Sequence, residues 1–255
     1  MNPLEIKKFL DKEVSDRNIS TELSEDKPDP LIIVKRFQDE RVALISALFA
    51  YGKASLILKF LESLDFSLLD IDDEVQIREK LSSKYYRFQK SEDVIAIFIA
   101  LNRLTKQKRN LEDIFLKGYL KESSVLDGIA ELIQEIEKVY SHSSRGYRFL
   151  IGKAPDSKKL NGQSPYKRWN LFLRWLVRDD NLDIGLWKKV DKKDLLIPLD
   201  THTFNISQKL GLLSRKRYDL KAVVELTQKL KEFDKDDPIK YDFAIYRVGQ
   251  ENIIE

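Results

Sequence analysis

SPYKRWNLFLRWLVR, residues 164–178, places Trp169, Phe172, Leu173 and Leu176 at the i, i+3, i+4, i+7 spacing of one helix face. Ser164 reads as the N-cap of that helix and Pro165 as its first residue, where a missing amide hydrogen removes no intrahelical bond. Lys167 then falls in the first turn. After the short turn DIGLWKKV (183–190), the run LIPLDTH (196–202) puts Asp200 at the N-cap of a second helix, Thr201 to Leu210. Gly211 closes it at the position that favours left-handed backbone.

Helical periodicity extends outward from these two segments. VALISALFAY (42–51) and ASLILKFLESL (54–64) read as two helices broken at Gly52. Further helical segments are 73–90, 91–107, 110–118, 123–140, 219–233 and 238–248, with Leu126, Ile129, Ile133 and Ile136 marking one face of the fourth. No alternating strand pattern persists. Residues 141–164, rich in Ser, Gly and Lys, read as a long connecting loop. The expectation is an all-α chain, one domain over 1–255 built of two helical lobes with a cleft near that loop.

Apolar residues make up 42% of the 255, including 13 Phe, 10 Tyr and 3 Trp, enough for a substantial core. Nine Gly and seven Pro are few for a loop-rich or all-β protein. The absence of cysteine excludes disulfides, thiolate nucleophiles and iron–sulfur clusters, and only His142 and His202 are present to serve as imidazole ligands. The expectation is therefore no metal and no cofactor. The first residues lack the apolar core of a signal peptide, and no run approaches the roughly 20 apolar residues of a membrane span. A cytoplasmic protein without a membrane partner is expected. The net charge of +3 permits nucleic-acid binding, with basic clusters at 106–109, at Lys167-Arg168 with Arg174 and Arg178, and at 215–217.

Lys167 and Asp200 are the residues best placed for chemistry. An ammonium in a first helical turn faces the positive end of the helix dipole, unfavourable by roughly 0.3–1 kcal/mol. A lysine nucleophile acts as the neutral amine, so a poor location for stability suits chemistry. A carboxylate at a helix start can stabilise positive charge developing at a sugar carbon, or accept a proton from the attacking amine. The bland alternatives are a surface lysine and a simple N-cap, and His202 reads as a supporting residue of the same helix start.

The segment Pro198-Leu199-Asp200-Thr201-His202-Thr203-Phe204, followed by Lys209-Leu210-Gly211-Leu212, resembles the helix-hairpin-helix DNA glycosylase superfamily at the helix start that holds its catalytic aspartate. Ser164-Pro165-Tyr166-Lys167-Arg168 lies where that superfamily has its Schiff-base lysine. The blocks KRWNLFLRWLVR, DIGLW and LIPLDTH, with Ala50-Tyr51-Gly52-Lys53 and Tyr86-Arg87-Phe88, are also similar to a bacterial family of this layout. The long lysine-to-aspartate interval is closer to archaeal 8-oxoguanine glycosylases than to endonuclease III. The usual glycine-rich hairpin is absent, and Asn161-Gly162-Gln163-Ser164-Pro165-Tyr166 stands in its place.

The resemblance implies a monomeric base-excision repair enzyme acting on damaged double-stranded DNA. It would be a glycosylase with AP-lyase activity on an oxidised purine such as 8-oxoguanine, flipping the base out of the duplex. Lys167 would attack C1′, assisted by Asp200. Phe88, Trp169, Tyr241 and Asp242 would form the base pocket. Tyr51 would be the wedge beside Gly52 and Lys53, and Gly162, Arg168, Arg174 and Arg178 would contact the DNA backbone. The alternatives are a non-catalytic nucleic-acid-binding protein that keeps the fold, and a helical scaffold for protein partners.

Overall fold

A computed structural model describes the chain apart from residues 25, 108, 252, 254 and 255. Thirteen α-helices and no strand are found among the described residues. The first, α1 (Pro3–Arg17), starts at a capping box: Asn2 Oδ1 accepts the Glu5 amide at 3.0 Å and Glu5 Oε2 accepts the Asn2 amide at 2.8 Å. Next come α2 (Leu31–Phe37), α3 (Glu40–Leu48), α4 (Ala54–Glu62), α5 (Glu74–Leu81), α6 (Ser91–Lys106), α7 (Leu111–Tyr119), α8 (Val125–Val139) and α9 (Arg145–Ile151). The last four are α10 (Lys167–Val177), α11 (Thr201–Lys209), α12 (Leu220–Lys231) and α13 (Asp242–Gln250). No helix among the described residues is long and apolar enough to cross a membrane.

The helices fall into two compact units. Residues 24–157, with α2 to α9, form one; residues 1–23 and those from 158 onward form the other. In the first, α6 is the central helix. Its run from Val94 to Leu101 is buried on every side, which a surface helix with one polar face cannot be. It packs on α5, α8 and α9, and α8 turns Leu126, Ile129, Ile133 and Ile136 inward as their spacing predicts. Each such Leu or Ile contributes about 1.5–3 kcal/mol by leaving water.

In the second unit α13 packs against both α1 and α11. Gly249 allows the approach to α11: a Cβ there would lie 2.9 Å from Ile206 Cγ1 and 3.1 Å from His202 Cβ. Leu210 is the C-cap of α11, and Gly211 takes the left-handed conformation (φ 71°).

Two expectations about elements are corrected. Residues 145–151, inside the expected connecting loop, form α9, capped by Ser144 accepting the Tyr147 amide. The helical segment expected over 73–90 ends at Leu81, and Tyr86 to Gln89 form a tight turn instead.

Candidate functional site

Lys167 and Asp200 both stand at helix starts in the second unit, Lys167 as the first residue of α10 and Asp200 as the N-cap of α11. Asp200 Oδ1 accepts the Thr203 amide at 2.8 Å. That bond orients the carboxylate and leaves Oδ2 3.7 Å from Lys167 Nζ. The separation is too long for a direct hydrogen bond but within ion-pair range, and the side chains are only 29% and 13% exposed. An amine and a carboxylate held this way, partly out of water, interact more strongly than a surface pair.

The residue before Lys167 is unusual. Tyr166, not Ser164, is the N-cap of α10. Its backbone is left-handed (φ 47°), a region a bulky residue rarely adopts, and it makes no side-chain cap. The turn is instead fixed by two local bonds and one from far along the chain. Tyr166 OH donates to Gln163 Oε1 at 3.1 Å, Asn170 Nδ2 donates to Pro165 O at 3.2 Å, and Gln163 O accepts the Leu220 amide at 3.1 Å. These bonds override the local Ser-Pro signal.

On the Asp200 side, Tyr218 donates its hydroxyl to Leu199 O at 2.7 Å and packs edge-on against Phe204 at 5.5 Å. Burial raises its phenol, and the Asp200 charge adds to the effect. Sequence reasoning missed Tyr218; the available signal was an aromatic residue directly following the basic run 215–217.

Behind the pair lies a buried ionic cluster. Arg174 donates to Asp183 Oδ1 at 3.1 Å through both Nε and Nη2, and to Asp242 Oδ2 at 2.6 Å through Nη1. Arg178 bonds Asp183 as well, together with Asp237 at 2.9 Å and Asp180 at 2.9 Å. The burial of Asp242 pushes its carboxyl up to about 6, against the pull of Arg174 and with the Asp200 charge adding. Asp183, fully enclosed, moves up for the same reason.

The Asp242 shift has a measurable consequence. Its folded value lies above the ordinary aspartate value of 3.8 that the unfolded chain keeps, so between pH 4 and 6 the native state holds a proton that the unfolded state has lost. Stability from this group therefore falls as pH rises through that window and is flat above it, by about 1.4 kcal/mol per pH unit for one proton. Urea denaturation from pH 4 to 7 is expected to show this extra slope in the wild type and not in Asp242→Asn. Parallel curves for the two would refute the assignment.

Several expected site residues sit elsewhere. Trp169 is buried against Phe172, and Tyr241 is wholly enclosed with its hydroxyl on Asp11 Oδ1 at 2.9 Å, so neither ring is presented to a base. Arg174 and Arg178 are not phosphate contacts, because burial among aspartates has already neutralised them. Asp242 is committed to Arg174. His202 is exposed, its ring 6.1 Å from that of Tyr246. Arg168 is half-buried, and Gly162 occupies an exposed left-handed turn with nothing near its Cβ position. Tyr51, Gly52, Lys53 and Phe88 belong to the unit of residues 24–157, where the three aromatic rings of Tyr51, Phe88 and Phe149 form a cluster of their own.

The basic runs are also largely paired: Arg109 with Glu135 at 2.6 Å and Arg215 with Asp219 at 2.6 Å, while position 108 lies outside the described residues. No group of three or more His, Asp or Glu among the described residues is placed to hold a metal ion.

The family model described as "Protein of unknown function (DUF2400)" matches residues 29–251. No curated protein and no solved structure matches the chain.

Proposed function

We propose that this chain, which belongs to the DUF2400 family by the match over residues 29–251, is a DNA base-excision glycosylase with AP-lyase activity. Its substrate would be an oxidised purine such as 8-oxoguanine in duplex DNA, in the manner of the helix-hairpin-helix glycosylases that its sequence resembles. One observation carries the reading: a lysine amine and an aspartate carboxylate, distant in sequence, stand 3.7 Å apart at two adjacent helix starts. The left-handed Tyr166 beside the lysine supports it, since strained backbone gathers at working sites.

In this reading the damaged nucleotide is turned out of the duplex and its C1′ reaches Lys167. Asp200 Oδ2 takes a proton from the Lys167 ammonium. As the C1′–N bond to the base breaks, its electron pair leaves with the base, which takes that proton from Asp200 and so restores the carboxylate. The carboxylate stabilises the oxocarbenium-like charge left on the sugar. The Lys167 lone pair forms the new bond to C1′, the nitrogen gives up a proton to Asp200, and that proton passes to O4′ as the C1′–O4′ bond breaks and an iminium ion forms. Loss of a C2′ proton then expels the 3′ phosphate, and water releases the lysine. The protein acts as a monomer in the cytoplasm and needs no cofactor for this sequence.

Borohydride reduction during incubation with duplex DNA containing 8-oxoguanine or an abasic site tests the reading. Reduction of the iminium is expected to leave a stable protein–DNA adduct on denaturing gels. The absence of an adduct with every oxidised-purine and abasic substrate would remove the lyase proposal.

A further inference from the structure

The turn between α5 and α6 builds a surface that the Lys167–Asp200 chemistry does not use. Tyr86 and Gln89 close it with two backbone bonds, of 3.1 and 2.9 Å, and hold Arg87 in the left-handed region (φ 56°). Three side-chain bonds clamp it to the rest of its unit. Tyr86 OH donates to Tyr51 O at 2.7 Å, Gln89 Nε2 donates to Gly146 O at 3.1 Å, and Tyr51 OH donates to Gln89 Oε1. The rings carried by this rigid mount are nevertheless left in water: Tyr85 is 73% exposed and Phe88 48%, with Phe149 of α9 at 42% beside them. The Phe88 and Phe149 rings meet edge-on at 4.6 Å.

Beside the rings opens a hollow of about 590 Å³, lined by Lys84, Tyr85, Arg87, Phe88 and Lys90 together with serines and Gln89. Three cations line it and, among the described residues, no carboxylate. That charge suits a polyanion, and exposed flat rings suit a ligand that offers π faces. Duplex DNA keeps its base faces stacked inside, whereas a single strand presents them together with its phosphates. Because the clamp holds the turn in place, little ordering cost remains to be met on binding.

We propose that this surface binds a single-stranded stretch of nucleic acid, its bases stacking on Tyr85 and Phe88 and its phosphates held by Lys84, Arg87 and Lys90. The site belongs to a different unit from Lys167, and the proposal does not depend on the lysine chemistry. Borohydride trapping reads Lys167 in the other unit, so either activity can fail with the other intact.

The test is fluorescence anisotropy with the full chain, a labelled oligothymidylate of roughly 15 nucleotides and a duplex of the same length. Tyr85→Ala with Phe88→Ala is expected to weaken single-strand binding about tenfold or more. Tyr85→Phe with Phe88→Tyr keeps both rings and is expected to retain it, which separates stacking from folding. Lys84→Gln with Lys90→Gln is expected to reduce the salt slope by about 1.4, the value for two lost phosphate contacts on a single strand. Single-strand binding by the alanine pair within twofold of wild type, or duplex affinity falling in that pair as much as single-strand affinity, overturns the proposal. Loss of self-association in the alanine pair with oligonucleotide affinity unchanged overturns it too, because a second copy of the chain would then be the occupant.

Discussion

Lys167→Met is expected to abolish the borohydride-trapped adduct and to lower base release by a factor on the order of 10³ or more, because the only proposed nucleophile is gone. Stability should hardly change. Methionine keeps an unbranched stem at a 29% exposed position, the lost ion pair is worth about 0–1 kcal/mol, and removing a cation from a helix start returns part of that. Asp200→Asn isolates the carboxylate from its structural duty. Asparagine is as good an N-cap, so the Thr203 amide keeps its partner, while the negative charge facing Lys167 is lost. The expected result is an unchanged melting temperature with a rate about 10²–10³ lower. Full trapping by Lys167→Met, or full rate in Asp200→Asn, would show that the pair is merely structural.

The largest effect on stability is expected from Asp183→Ala. Its carboxylate, with no exposed surface, serves both Arg174 and Arg178, whose side chains are 5% and 9% exposed. Removing it leaves two buried guanidinium groups short of a charge partner. Breaking a buried ion pair from one side costs about 3–5 kcal/mol, a large part of the roughly 5–15 kcal/mol that holds a domain folded. The melting transition of the unit containing α10 should fall by on the order of 10 °C or more, followed by circular dichroism. A loss of only a few degrees would mean that Asp237, Asp180 and Asp242 suffice without it.

The helices of this chain were largely legible because burying one face imposes a 3.6-residue period, plain in Trp169, Phe172, Leu173 and Leu176 and in the α8 residues. Short helices were harder. Seven-residue α9 hides in a Ser- and Gly-rich stretch, and α1 buries only Ile6 and Leu10, so its sole local signal is the capping box Asn2-Pro3-Leu4-Glu5. At the candidate site, the Asp200 N-cap was readable locally, since its partner amide is three residues away. The start of α10 was not, because Tyr166 is held by Gln163 and, through it, by Leu220. Arg174 and Arg178 read as phosphate ligands for the same reason. Their partners at Asp237 and Asp242 arrive from far along the chain, and only Asp180 and Asp183, just past the helix, offered a local hint.

The division of the chain also sets a timetable. Helix α1 belongs to the unit whose other helices come from residue 158 onward, and its Asp11 meets Tyr241 across 230 residues of sequence. At ribosomal speeds of about 5–20 residues per second, α1 waits roughly 10–50 s for that partner. A lone 15-residue helix is marginal in water, so during the wait α1 is held by little besides its Asn2–Glu5 cap and its own weak i,i+4 pairs Lys7–Asp11, Lys12–Asp16 and Glu13–Arg17. Residues 24–157 are complete well before then. The unit carrying the aromatic turn can thus mature during synthesis, while the one carrying Lys167 and Asp200 closes only when the last helix emerges.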